Sequence, residues 1–285
     1  MAWTSISWTD ANGTVTELQD PSNGVGVLTA GSFGLNAPPV ELNTAALVSL
    51  DGSLLVKRRR GVRDVMLPMW VESSLDLQAK VRTLTSVLQG PGTLTLSDGT
   101  VTRSLLDVYY DSGLGGEYGP DIYLENQWQR FPLSLLALDP WWYGELQTVT
   151  LTFGSDTAFD DASTSFDSGP FDGGATTPAT IAGDATASPS FTFTGPFDTC
   201  QVGVAGGSSM VLAAALAAGS EITVDTARGN RGPRLNGGAI DWSLLTPESR
   251  LFELPVGVVS MLTSSSGTTG SSALEMTYRE RWLTA

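Results

Sequence analysis

The sequence predicts a mainly β protein built from two successive sandwich-like modules, the first of which carries one helix. Three observations predict it. Charged residues make up 16% of the 285, well below the usual level of about 25%, while Gly, Ser and Thr are plentiful. Apolar and polar residues alternate over short runs that are separated by Asp-Gly, Gly-Gly and Asp-Pro turns. Only one segment spaces its apolar residues for a helix.

The elements follow in order. TSISWTD puts Ile6 and Trp8 on one face and Ser5 and Ser7 on the other, the period of a strand. VSLDGSLLV holds Asp51-Gly52 between apolar flanks, a hairpin signal. The next stretch, VKRRRGVRDVMLPMWVE, reads as a strand pair in which Lys57, Arg58, Arg59, Arg60 and Arg63 lie within seven positions. SSLDLQAKVRTLTSVLQGPG spaces Leu77, Val81, Leu84 and Leu88 for one helical face. Ser73 or Ser74 is its expected N-cap, and Gly90-Pro91 its stop. GTLTLSDGTVTRSLL repeats the hairpin device at Asp98-Gly99.

Tyr123, Trp128, Phe131, Trp141, Trp142 and Tyr143 form an aromatic-rich stretch, in which FPLSLLALDPWWYGE reads as a buried strand closed by Asp139-Pro140. Trp141 and Trp142 read either as core packing or as a platform for stacking sugars. Phe-Asp then recurs at 159–160, 166–167 and 171–172 in a Ser/Gly-rich setting. Calcium favours such oxygen ligands, but the D-x-[DN]-x-[DN]-G loop is missing, and Asp in turns commonly caps local amides. Residues 154–176 therefore read as an extended connection, with the domain boundary near 150.

Alternation then resumes. SPSFTFTGP puts Phe191 and Phe193 on one face, and AAGSEITVDT does the same with Ile222 and Val224. CQVGVAGG and SSMVLAAAL supply further strands; LNGGAIDW contains a Gly-Gly turn, LFELPVGVVSML reads as a strand pair, and SALEMTYRERWLTA as a last strand. Seven or eight short strands separated by turns point to a β-sandwich or jelly roll.

Composition removes several function classes. Histidine is absent and Cys200 is the only cysteine, which excludes Ser–His and Cys–His nucleophiles, Cys-cluster metal sites and internal disulfides. We therefore expect no enzyme, catalytic residue, metal or cofactor. A glycosidase would need two carboxylates about 5–10 Å apart, and no pair stands out. The opening MAWTSISWTD lacks a basic n-region and an apolar core, so no secretory signal is expected. No apolar run nears the ~20 residues of a membrane span, so no membrane insertion is expected. The formal net charge is -15, and no Lys or Arg occurs between Arg130 and Arg228. Such an interval argues against phosphate binding by the second half.

Taken in order, RRRGVRDVMLPMWVE, the capped helix, GPGTLTLSDGTVTRSLL, YLENQWQRFPLSLLALDPWWYGE, IAGDATASPSFTFTGP, AAGSEITVDTARGNRGPRLNGGAIDW, SRLFELPVG and YRERWLTA carry a resemblance. The chain resembles the siphovirus distal tail proteins over nearly its whole length, particularly the minor tail proteins of phages of high-GC Gram-positive bacteria. That resemblance implies a ring-forming "belt" domain, a β-sandwich with one helix, over 1–150. It implies a galectin-like or jelly-roll β-sandwich over 151–285.

It also implies a structural virion protein, made in the host cytoplasm and located at the distal end of the tail. Six copies would form a ring joining the tail tube to the tail-tip or baseplate proteins, around a channel for DNA. The implied partners are the tail tube protein, a tail-tip or tail-associated protein and the tape measure protein. DNA would pass without specific binding.

Within that reading, Lys57, Arg58, Arg59, Arg60 and Arg63 are candidate subunit-interface residues. A head-to-tail ring needs two different surfaces on each copy, and a basic strand facing an acidic surface would set register. A solvated strand face and a nucleic-acid contact are the other readings. The negative charge would keep a channel wall from holding DNA, or simply serve solubility. An alternative function is a carbohydrate-binding adhesin module of the tail tip contacting host cell-wall glycan, with Trp141, Trp142 and Trp242 as candidate contacts.

Overall fold

Period-2 alternation becomes buried strand faces throughout the structure, a computed structural model that describes residues 3–28, 30–46, 51–73, 77–115, 127–153 and 175–285. The chain divides into two compact units: Met1–Gly144 with Trp282–Ala285, and Glu145–Arg281. The divide falls inside a strand, a little before the expected boundary, and the last four residues belong to the first unit.

The strands of the first unit are β1 (Ser5–Asp10), β2 (Val15–Glu17), β3 (Val25–Val27), β4 (Val40–Ala46), β5 (Ser53–Arg60), β6 (Arg63–Ser73), β7 (Gly92–Ser97), β8 (Thr102–Ser112), β9 (Gln127–Ala137) and the first residues of β10 (Trp142–Thr150). The first half of β8 pairs with β7 and β10, and its second half pairs with β9. Between the halves, Asp107 adopts φ 51, a left-handed conformation uncommon outside glycine. One strand thereby serves two layers, β2-β1-β7-β8-β10 and β8-β9-β6-β3. Ile6, Trp8, Leu94 and Leu96 from the first layer meet Val65, Leu67, Met69, Val71, Phe131, Leu133 and Leu135 from the second in one core.

Helix α1 (Leu77–Leu88) buries Leu77, Val81, Leu84 and Leu88 in that core, the stripe expected from their spacing. On its outer side Lys80 Nζ donates to the carbonyls of Asn23 and Glu72. Ser73, one of the two expected caps, is the last residue of β6; Ser74, the other, and the residues that lead from it to Leu77 lie outside the described residues.

The Asp98 turn is built as its residues suggest. Its carboxylate accepts from Thr100 N at 2.9 Å, Thr100 Oγ1 at 2.7 Å and Val101 N at 2.8 Å. These bonds, the Thr100 hydroxyl first, hold the Asp98 carboxyl down to about 2. An unfolded-chain aspartate titrates near ~3.9, so the contribution of the turn is complete above that pH and is lost as pH falls toward the folded value. Carbon-detected NMR titration is expected to place the Asp98 midpoint near 2. A midpoint near the unfolded value would mean these turn bonds do not form.

The stretch 56–72 corrects the expected strand pair. It contains two strands, but they do not pair with each other: β5 pairs with β4, and β6 lies between β3 and β9. The cause is their side chains. Position 63 and the apolar residues 65, 67, 69 and 71 give β6 one inward face, whereas β5 has no buried residue.

The second unit is a two-layer antiparallel sandwich. Its strands are β11 (Ala175–Ile181), β12 (Ser190–Thr194), β13 (Thr199–Val204), β14 (Ser209–Val211), β15 (Glu221–Asp225), β16 (Gly232–Leu235), β17 (Gly257–Ser266) and β18 (Ala273–Trp282, through Arg281). One layer runs β16-β15-β12-β18 and the other β11-β17-β13-β14. Phe191, Phe193, Ile222, Val224, Leu274 and Met276 line the first, and Val202, Met210, Val259 and Met261 the second.

LFELPVGVVSML contributes only β17 and an isolated Leu254–Ala187 bridge, not a strand pair. Pro255 lacks the amide that would extend the ladder. Burial pushes the Cys200 thiol up to about 12, which leaves it a packing residue. Tyr123, residues 154–174 of the expected connection and all three Phe-Asp pairs lie outside the described residues.

Candidate functional site: a basic ribbon and its anchor

Strands β4 and β5 form a two-stranded sheet of their own. Val40 pairs with Arg60, Glu41 with Arg59, Leu42 with Arg58 and Asn43 with Lys57; after a bulge, Thr44 pairs with Leu55 and Ala45 with Leu54. Directly paired residues share a face. Arg58 and Arg60 therefore lie beside Val40 and Leu42, while Lys57 and Arg59 lie beside Glu41 and Asn43. Glu41 is the one carboxylate on the two strands, bonded by Arg59 Nε at 2.6 Å in an exposed pair. Four cations against one anion make the ribbon basic in a chain of charge -15.

The ribbon is also apolar. Leu42, Leu54, Leu55 and Val56 are each more than half exposed. A two-stranded ribbon alone in water is marginal at best, and clustered exposed apolar side chains mark interaction surfaces. Nothing among the described residues covers this one.

Arg63 corrects the sequence assignment. It is 1% exposed and does not lie on the ribbon. As the first inward position of β6, it sends its guanidinium into the unit. Nε donates to Pro140 O at 2.8 Å, Nη1 to Gly34 O at 2.6 Å and to Asn36 O, and Nη2 to Leu283 O at 2.9 Å. The cation also sits 5.6 Å from the Trp142 ring centroid. Burial pulls its pKa only to about 10, so it stays charged at neutral pH. Its guanidinium meets carbonyl dipoles and an aromatic face.

These bonds pin the loop that leads into the ribbon. Gly34 O and Asn36 O take Arg63, while Leu35 O takes Trp142 Nε1 at 3.2 Å and Ala285 N at 3.0 Å. Gly34 has φ +82, and a Cβ there would stand 1.8 Å from Asp64 O, so only glycine lets this loop lie against β6. The ribbon starts at Val40 and ends at Arg60, so one buried cation ties down the chain on both sides of it.

The tryptophans separate. Trp142 is fully buried, which removes it as a sugar contact. Trp141 is half-buried beside the Asp139 turn, its amide donating to Asp139 Oδ1 at 3.3 Å. Trp242 is 54% exposed. It stands on a short 3-10 turn, Trp242–Leu244, capped by the Asp241 side chain, and lines a cavity of about 600 Å³ together with Arg231, Thr246 and Ser249. The sequence does not connect those residues, because the segment leading into β16 and residues 241–251 meet only in the fold. No group of three or more metal-ligating His, Cys, Asp or Glu side chains occurs among the described residues, and no helix there is long and apolar enough to cross a membrane.

Residues 182–282 match the family model of the siphovirus-type tail component, C-terminal domain. The whole chain shares its fold with the Dit protein (gp 19.1) of phage SPP1, a hub of the adsorption apparatus of phages infecting Gram-positive bacteria. That likeness has a TM-score of 0.67 at 14% identity over 97% of this chain and 98% of the other. A chain of the phage p2 baseplate in its activated conformation with calcium aligns with a TM-score of 0.56 at 10% identity, over 100% of both chains. The strontium form gives 0.54 at 9% identity, over 99% of both. No curated protein matches.

Proposed function

We propose that the chain is a structural hub of a siphovirus tail tip, six copies of which close into a ring at the distal end of the tail. The observation that carries the reading is the uncovered ribbon: Leu42, Leu54, Leu55 and Val56 exposed beside Lys57, Arg58, Arg59 and Arg60. A heterologous contact repeated around an axis closes a ring, and the basic ribbon of one copy supplies one half of such a contact to the acidic surface of the next. The tail-component match over 182–282 and the shared fold with two phage hub and baseplate proteins support a virion role. The number six rests on the family resemblance.

In this reading the first unit is the ring-forming belt and the second a galectin-like sandwich. The tail tube protein and the tape measure protein meet one side of the ring, and tail-tip or tail-associated proteins the other. The ring has no catalytic task. Net negative charge on every copy keeps a central channel from holding DNA, so the nucleic acid passes without specific binding.

Native mass measurement of purified protein is expected to give about 180 kDa, six times 30.0 kDa, and negative-stain images a central pore. A particle of that mass without a pore would overturn the ring, as would a monomer that fails to close when mixed with the tail tube protein.

A further inference from the structure

The second unit has a cavity of its own, lined by Trp242 and Arg231. We propose that the Trp242–Arg231 cavity binds an anionic saccharide, a pyranose ring bearing a carboxylate or phosphate. The site lies wholly within Glu145–Arg281, so the inference stands whether or not the chain assembles.

Size and rigidity come first. A volume of about 600 Å³ falls in the range of ~300–1,000 Å³ usual for small-ligand pockets. Its walls are tied together by backbone bonds. Ala213 N donates to Leu244 O at 2.9 Å, Thr246 N to Val211 O at 3.0 Å and Arg250 N to Ser209 O at 2.9 Å. The Asp241 carboxylate accepts from Ser243 N at 2.9 Å and Ser243 Oγ at 2.6 Å, and the Ser243 bonds hold its pKa below the usual carboxylate range. The turn carrying Trp242 is thus fixed before any ligand arrives.

Chemistry selects the ligand. A pyranose ring has an apolar C–H face and a polar edge, and each finds a counterpart. The exposed indole of Trp242 offers a flat stacking surface, with Leu245 and Leu251 as apolar wall. Thr246 Oγ1 lies 3.2 Å from Ser249 Oγ, which accepts from Val211 N at 2.9 Å. Ser249 Oγ itself donates to Val211 O at 3.2 Å, so the Thr246 hydroxyl donates to Ser249 and keeps its lone pairs to accept from sugar hydroxyls.

Arg231 decides the charge. It makes one weak bond, Nη2 to Leu251 O at 3.2 Å, and has no carboxylate partner among the described residues. In so acidic a chain, an unneutralised guanidinium at a cavity is a specific feature. Its planar fork matches carboxylate or phosphate with two parallel bonds. A flat protein partner would use the Trp and Arg but would leave the concave, hydroxyl-bearing floor between them unfilled.

The test follows the Trp242 indole N–H by NMR, assigned through Trp242→Phe, in the full chain. The probes are oligogalacturonate, its carboxyl-reduced counterpart and glucose 6-phosphate. Wild-type protein is expected to show a saturable Trp242 shift with an acidic probe; which of the two acts identifies carboxylate or phosphate. Trp242→Ala, which removes that indole signal and is therefore compared with wild type by calorimetric titration of the same probes, should weaken binding about tenfold or more. Arg231→Gln should bring acidic and neutral probes to within about twofold of each other while weak neutral binding persists. Thermal melts of both variants check that they remain folded. No saturable shift with any probe, or equal binding by wild type and Trp242→Ala, overturns the proposal. So does a preference for acidic probes that survives Arg231→Gln. Capture of a tail protein by wild type, lost in Trp242→Ala while no saccharide binds, would make the cavity a protein dock instead.

Discussion

Changing Arg58, Arg59 and Arg60 together to glutamate is expected to leave a folded monomer of 30.0 kDa where the wild-type protein gives the ring. The fold should survive because the ribbon contributes no residue to the buried core. The one ion pair lost, Arg59 with Glu41, is exposed on both sides, and such pairs contribute about 0–1 kcal/mol. Assembly should fail because the ribbon changes from four cations and one anion to one cation and four anions. Like charges brought together at a contact cost several kcal/mol.

The apolar half of the ribbon gives a control with a different signature. Leu42, Leu54, Leu55 and Val56 are more than half exposed, and burying them on a neighbour would stabilise each contact by on the order of 5 kcal/mol. Leu54→Ser with Leu55→Ser should therefore weaken the ring without changing its salt dependence. In wild type, raising salt should slow association more than it speeds dissociation. Rings that persist unchanged in mass after the triple reversal would remove the ribbon from the interface.

Local patterns were legible wherever one face of an element is buried. The α1 stripe, the inward Phe191 and Phe193, and the turn at Asp98 all follow from spacing within a few residues. What stayed hidden needed the partner in space. Arg58 and Arg63 look alike in the sequence, yet β5 finds its partner upstream in β4, while β6 enters the core between β3 and β9. A signal for Arg63 did exist: counting back by two from Met69, Leu67 and Val65 reaches it, so the strand period alone puts it inward. The charge cluster masked that count. Trp141 and Trp142 had no such signal, because a pair of adjacent aromatics reads the same whichever one turns inward. Arg231 and Thr246 could not be joined to Trp242 by spacing, since the loops that carry them meet through long-range pairing.

Arg63 is where the largest loss of stability is expected. Arg63→Met keeps an unbranched apolar stem but is two atoms shorter and removes the donors that the carbonyls of Gly34, Asn36, Pro140 and Leu283 receive from the guanidinium. An unsatisfied buried polar group costs about 1–3 kcal/mol, less where water reaches it. A total loss of about 3–5 kcal/mol is therefore reasonable, near the upper end for single substitutions. For a unit of this size that corresponds to a fall in melting temperature of roughly 10 °C. Arg63→Lys should recover only part of it, since an ammonium is a compact charge without the planar fork. The variant should also loosen what Arg63 ties together. Amide exchange should rise at residues 283–285 and along 33–39, the approach to the ribbon. Ring formation should then weaken through a misplaced ribbon, in proportion to the loss of melting temperature. That separates the two kinds of arginine: reversal at 58–60 abolishes assembly with melting unchanged, whereas Arg63 moves both together. If Arg63→Met melted like wild type, the buried fork would not anchor the ribbon, and its four bonds would be incidental to the fold.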